Sequence, residues 1–126
     1  MSDDKRDVLE VLKFELSFLE QGGYGRSVRT PWKAPSVLQD SPSCLNFNDP
    51  ARPHACTECL LTAFVPGDFL EESIPCHFIP LNDLGETVDS LERHSEQAEL
   101  EEALKRWLHS TIARLENERL QREKAH

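Results

Sequence analysis

Basic charge is scarce in this chain: 14 Lys and Arg stand against 23 Asp and Glu, a net charge of −9 over 126 residues. That balance argues against a duplex nucleic-acid binder, which normally presents a basic face. Long apolar runs are missing too, and none approaches the roughly 20 residues of a membrane span. The opening MSDDKRD lacks the basic start and apolar stretch of a secretory signal, so a cytoplasmic location is expected. There is no internal repeat, no low-complexity tract and no large catalytic constellation. The glycine-rich stretch from Gly22 to Ser27 lacks the Lys of a phosphate loop. Cys56-Thr57-Glu58-Cys59 lacks the preceding strand of a thioredoxin-type pair, and Leu60 stands where haem attachment needs His. Glu71-Glu72 and Glu101-Glu102 read as solvated charge rather than a catalytic dyad. A non-enzymatic protein is the expectation.

What is present falls into three parts. Leu, Ile, Val and Phe number 17, 3, 6 and 6, enough for a modest core in one domain over residues 1–126. All eight Pro and all four Cys lie between residues 31 and 80, a stretch with only two basic residues, Lys33 and Arg52. The division is a helix over 1–22, an extended Cys/Pro-rich segment over 23–85, and a long amphipathic helix over 86–126.

The first helix is expected from about Asp3 to Gln21, capped by Ser2 or Asp3, with Asp3, Asp4 and Asp7 at the positive end of its dipole. Leu9, Leu12, Leu16 and Leu19 make one helical stripe, widened by Val8, Val11, Phe14 and Phe18. Gly22-Gly23 stops it, because glycine accepts the left-handed conformation of a C-terminal cap. The last helix is expected over about Thr87 to Arg122, with a break near His94-Ser95. Leu100, Leu104, Trp107, Leu108, Ile112 and Leu115 line one face, and Glu101/Lys105, Glu102/Arg106 and Glu118/Arg122 place acid four residues before base. From Glu96 to Glu123 such a helix is about 42 Å long, enough for its end to project. The heptad holds only from Leu100 to Thr111 and fails at Arg114, so the pattern favours a helix hairpin over a coiled coil. The predicted fold is therefore mainly α: an N-terminal helix and a long C-terminal helix packed as a hairpin around a proline-rich, irregular, metal-stabilised middle segment.

That middle is mostly loop, because each Pro removes a backbone donor and biases its predecessor away from helix. One short helix is predicted over Cys59 to Val65, stopped by Pro66-Gly67, and a short strand at Phe78-Ile79. Cys44, Cys56, Cys59 and Cys76 give the spacing C-x11-C-x2-C-x16-C. Two sulfurs of Cys56-Thr57-Glu58-Cys59 can reach one ion, and the other two can close a tetrahedral site. Structural zinc is worth on the order of 10 kcal/mol to a small domain, which helps a segment with few periodic apolar positions to fold. Cytosolic chains rarely use four Cys as disulfides. Zinc is the preferred metal because it demands the least additional machinery; the alternative is one iron–sulfur cluster, which also takes four Cys. The competing interpretation is four unrelated thiols, or two disulfides.

His54 and His77 are alternative ligands, since imidazole suits zinc. Phe47, Phe64, Phe69 and Phe78 are candidates for an apolar shell around the metal. Arg29 and Trp32 are candidate partner-binding residues, of types enriched at binding hot spots. The expected function is a metal-binding interaction module or accessory subunit with a protein partner, as a homodimer or within a larger enzyme complex. The alternative is an iron–sulfur electron-transfer protein or small subunit of a redox enzyme complex.

Overall fold

The computed structural model describes residues 6–22, 37, 38, 41, 43–47, 51 and 53–124. The described chain is mainly helical, and no strand occurs among the described residues. Three α-helices, α1 (Val8–Glu20), α2 (Val88–His94) and α3 (Gln97–Lys124), flank a run of short 3-10 turns.

Helix α1 starts at Val8, later than the sequence pattern indicates. Asp7 has extended backbone, and its carboxylate accepts the Glu10 N–H at 3.3 Å. An N-cap of this kind satisfies a donor that the helix itself leaves unpaired. The Ser2 or Asp3 cap lies outside the described residues. At the other end Gly22 takes a φ of 102°, and its N–H reaches the Leu19 carbonyl at 3.2 Å. Leu9, Val11, Leu12 and Leu19 are buried, and Leu16 and Phe18 are partly covered. Phe14 is exposed instead of widening that face.

The C-terminal helical region divides at Ser95, whose extended backbone separates α2 from α3. Thr87 opens α2 with a reciprocal box: its hydroxyl accepts the Ser90 N–H at 3.1 Å, and the Ser90 hydroxyl accepts the Thr87 N–H at 2.9 Å. Leu100, Ala103, Leu104, Leu108, Thr111 and Ile112 form the buried stripe of α3. Ion pairs bridge α1 and α3 at three levels: Asp7 with Arg119, Lys13 with Glu116 at 3.0 Å, and Glu20 with His109 at 3.8 Å. Residue numbers rise along α1 as they fall along α3, so the two helices run in opposite directions.

The middle contributes more apolar burial than its loop-like composition indicates. Val37, Leu38, Leu60, Leu61, Val65, Ile79 and Leu81 join the same core as the helices. Among its described residues the regular structure is 3-10: Cys56–Glu58, Leu60–Phe64, Gly67–Phe69 and Pro75–Phe78. Cys59 is extended and precedes the second of these turns rather than belonging to a helix. The strand expected at Phe78-Ile79 is absent. Pro75 opens a 3-10 turn ending at Phe78, and Pro80 has no N–H to give a neighbouring strand. No helix among the described residues is long and apolar enough to cross a membrane.

Candidate metal centre

The four cysteines sit on three separate turns. Cys44 follows Ser43 in a turn held by its own N–H to the Ser41 carbonyl, 3.1 Å, and by Phe47 N–H to the Cys44 carbonyl, 3.1 Å. Cys56 opens a 3-10 turn and Cys59 closes it, with Cys59 N–H on the Cys56 carbonyl at 3.0 Å. Cys76 is the second residue of the Pro75–Phe78 turn. All four line one cavity of about 30 Å³. Its remaining wall is largely aliphatic, from Leu38, Leu45, Leu61 and Ile74. No disulfide joins any of the four thiols.

Three sets of hydrogen bonds position these turns. The Asn46 side chain donates to the His54 carbonyl at 2.8 Å and accepts the His54 N–H at 2.9 Å, fastening the Cys44 turn to the approach to Cys56. Glu15 of α1 is buried, and its Oε1 accepts the Ser41 and Ser43 hydroxyls, each at 2.7 Å. Arg6 donates to the Ser43 carbonyl at 2.8 Å and turns its other terminal nitrogen to Cys59 Sγ, 4.0 Å away. Through these contacts the helix and the residues before it hold the loop that delivers Cys44.

The electrostatics match four sulfurs around one space. Burial pushes the Cys76 thiol up, and negative charge on Cys59, Cys44 and Cys56 pushes it further. With its pKa raised, Cys76 keeps its proton, and only a nearby cation would favour its thiolate form. Yet among the described residues no group of three or more His, Cys, Asp or Glu is arranged to hold a metal ion. The thiols share the cavity without meeting at a single point.

The two histidines lie elsewhere. His77 is buried, and its Nε2 is 2.6 Å from the Val37 carbonyl. A carbonyl only accepts, so Nε2 carries the proton and cannot bind a metal in that arrangement. Its Nδ1 faces Glu92 at 3.9 Å. His54 is exposed beside Glu58, also at 3.9 Å. Neither lines the thiol cavity. The phenylalanine shell is absent as well. Phe64 meets Trp107 edge-on at 5.2 Å, Phe69 stacks on Phe78 at 4.9 Å, and no Phe lines the cavity. Arg29 and Trp32 lie outside the described residues.

Sequence reasoning missed Arg6, Glu15, Ser41, Ser43 and Asn46. One signal was readable: Glu15 stands three residues after Leu12 and four before Leu19, on the apolar face of α1. A carboxylate at such a position needs buried donors. Compared with known protein families, curated proteins and solved structures, the chain matches none.

Proposed function

We propose that this chain is a non-enzymatic metal-binding interaction module or accessory subunit, with Cys44, Cys56, Cys59 and Cys76 holding one shared metal centre. One observation carries the reading: four thiols from three turns, 32 residues apart from first to last, line the same cavity. Four independent structural thiols have no need to share a wall. On this reading α1 and α3 form a hairpin, and the metal holds the middle against it. Zinc would make the centre purely structural. An iron–sulfur cluster would make the chain an electron-transfer protein or a small subunit of a redox enzyme complex.

The partner is a protein, either a second copy or a larger complex, and the cell compartment is the cytoplasm. Phe14 and Leu120 support the partner reading, because each leaves a large apolar side chain exposed on a long helix. Elemental analysis of freshly purified protein, wild type and each Cys→Ser variant, tests the centre. One centre per chain, lost in every variant, is expected; a metal-free wild type overturns it. Light scattering tests assembly: a concentration-independent mass of 14.4 kDa rules out the homodimer.

A further inference from the structure

We propose that this chain pairs with a second copy of itself through the face where α2 meets α3, each copy setting Leu84 into a groove of the other. The inference rests on the interaction-module reading above and names the partner and its surface. Extended backbone at Ser95 parts α2 from α3, and an open groove of about 490 Å³ runs along their junction. Leu91 of α2 with Ala98 and Ala103 of α3 gives it an apolar lining. The two alanines end at Cβ, so an incoming side chain can lie close against the helix. Beside the groove stands the tight turn 82–86, whose last residue, Glu86, belongs to the groove wall. Leu84 sits in that turn and is 85% exposed.

Single exposed leucines are common on protein surfaces, so exposure alone decides nothing. Leu84 differs in being held out by a well-bonded turn. Asn82 Oδ1 accepts the Leu84 N–H at 3.0 Å and the Glu86 N–H at 3.2 Å, and the Gly85 N–H reaches the Asn82 carbonyl at 3.0 Å. A turn ordered beforehand has little freedom left to lose on docking. The charges agree with this pairing. Asp83 adjoins Leu84 and Arg106 lines the groove; both are exposed, and neither makes an ion pair or side-chain hydrogen bond among the described residues. Leu84 of one copy, entering the groove, carries Asp83 to the surface that bears Arg106. Glu102 is already paired with Lys105 at 3.5 Å. Glu99 stands seven residues from Arg106, about 10.5 Å along the helix, which leaves the Arg106 end open to a carboxylate. Knob and groove are neighbours on one face, so a single two-fold axis between them makes both contacts twice. Such an interface closes as a dimer instead of growing as a filament.

The test is analytical ultracentrifugation of the full chain over a concentration series, with metal content measured on the same samples. The mass should rise with concentration from 14.4 kDa to twice that value. Leu84→Glu should weaken pairing about a hundredfold or more, because each dimer loses two buried leucines. Leu84 is exposed in the single chain, so this variant should keep the wild-type circular dichroism. Asp83→Arg and Arg106→Asp should each weaken pairing, and the double variant, which restores opposite charges, should recover it. A wild type that is monomeric at every concentration overturns the inference, and metal found in that monomer leaves the four-thiol centre standing. A dimer that Leu84→Glu leaves intact overturns this face; loss of that dimer in Phe14→Ala or Leu120→Ala would move the contact to α1 and α3. A metal-free dimer broken by Leu84→Glu supports this inference and overturns the metal centre.

Discussion

Replacing Glu15 probes the join between α1 and the Cys44 turn. Glu15 is 1% exposed, and a single oxygen, Oε1, accepts from Ser41 and Ser43 at 2.7 Å each. Glu15→Ala removes the acceptor and strands the buried Ser43 hydroxyl, while Ser41 keeps the Leu38 carbonyl at 3.1 Å. An unsatisfied buried donor costs about 1–3 kcal/mol, so the change costs at least that before any cavity is counted. Glu15→Gln keeps an oxygen in the same place and costs less, about 1 kcal/mol. A typical domain has about 5–15 kcal/mol in total, so the Ala variant loses a large share. Urea denaturation with the slope held fixed measures both changes. Hydrogen exchange should also show the Cys44 turn opening more readily in the Ala variant, ahead of α3. If Glu15→Ala stays within about 0.5 kcal/mol of wild type, or is no worse than Glu15→Gln, the serine clasp does not hold that loop.

Leu104 is fully buried, and Leu104→Ala should cost about 2–5 kcal/mol in the same denaturation assay. Leu120, 53% exposed, should change by under about 0.5 kcal/mol when cut to Ala unless a partner covers it. Arg119 holds the Asp7 carboxyl below its ordinary value of 3.8. Because the folded value is the lower one, the pair stabilises the fold above pH 3.8 and fades as pH falls through the folded value. Asp7→Asn keeps a capping side chain, so its deficit against wild type at neutral pH should close in acid melts. An equal deficit at pH 7 and pH 2.5 would contradict that.

The helices were legible because their evidence is periodic. Leu9 through Leu19 and Leu100 through Ile112 repeat at helical spacing, and no second structure fits that pattern. The break at Ser95 was legible for the same reason. The start of α1 was not: Asp3, Asp4 and Asp7 are all competent caps, and composition cannot rank them. The middle was harder, since its turns are set by contacts far along the chain. Asn46 with His54, Arg6 with Ser43, and Glu15 with Ser41 and Ser43 leave no local spacing rule. The four Cys were readable as candidates through their residue type and the Cys56–Cys59 pair. That they line one largely apolar cavity needed three dimensions. His54 and His77 were plausible ligands by proximity in sequence, but His77 is committed to the Val37 carbonyl and His54 faces solvent.

The most direct test of the account is hydrogen exchange across residues 40–80, measured on the metal-loaded protein and after chelation under reductant. The account predicts strong protection around Cys44, Cys56, Cys59 and Cys76 that collapses on chelation, while Leu100 to Ile112 of α3 remains protected. Protection in the middle that is unchanged by metal removal would contradict it, and would mean that the apolar contacts of Leu60, Leu61, Val65 and Ile79 hold that segment unaided.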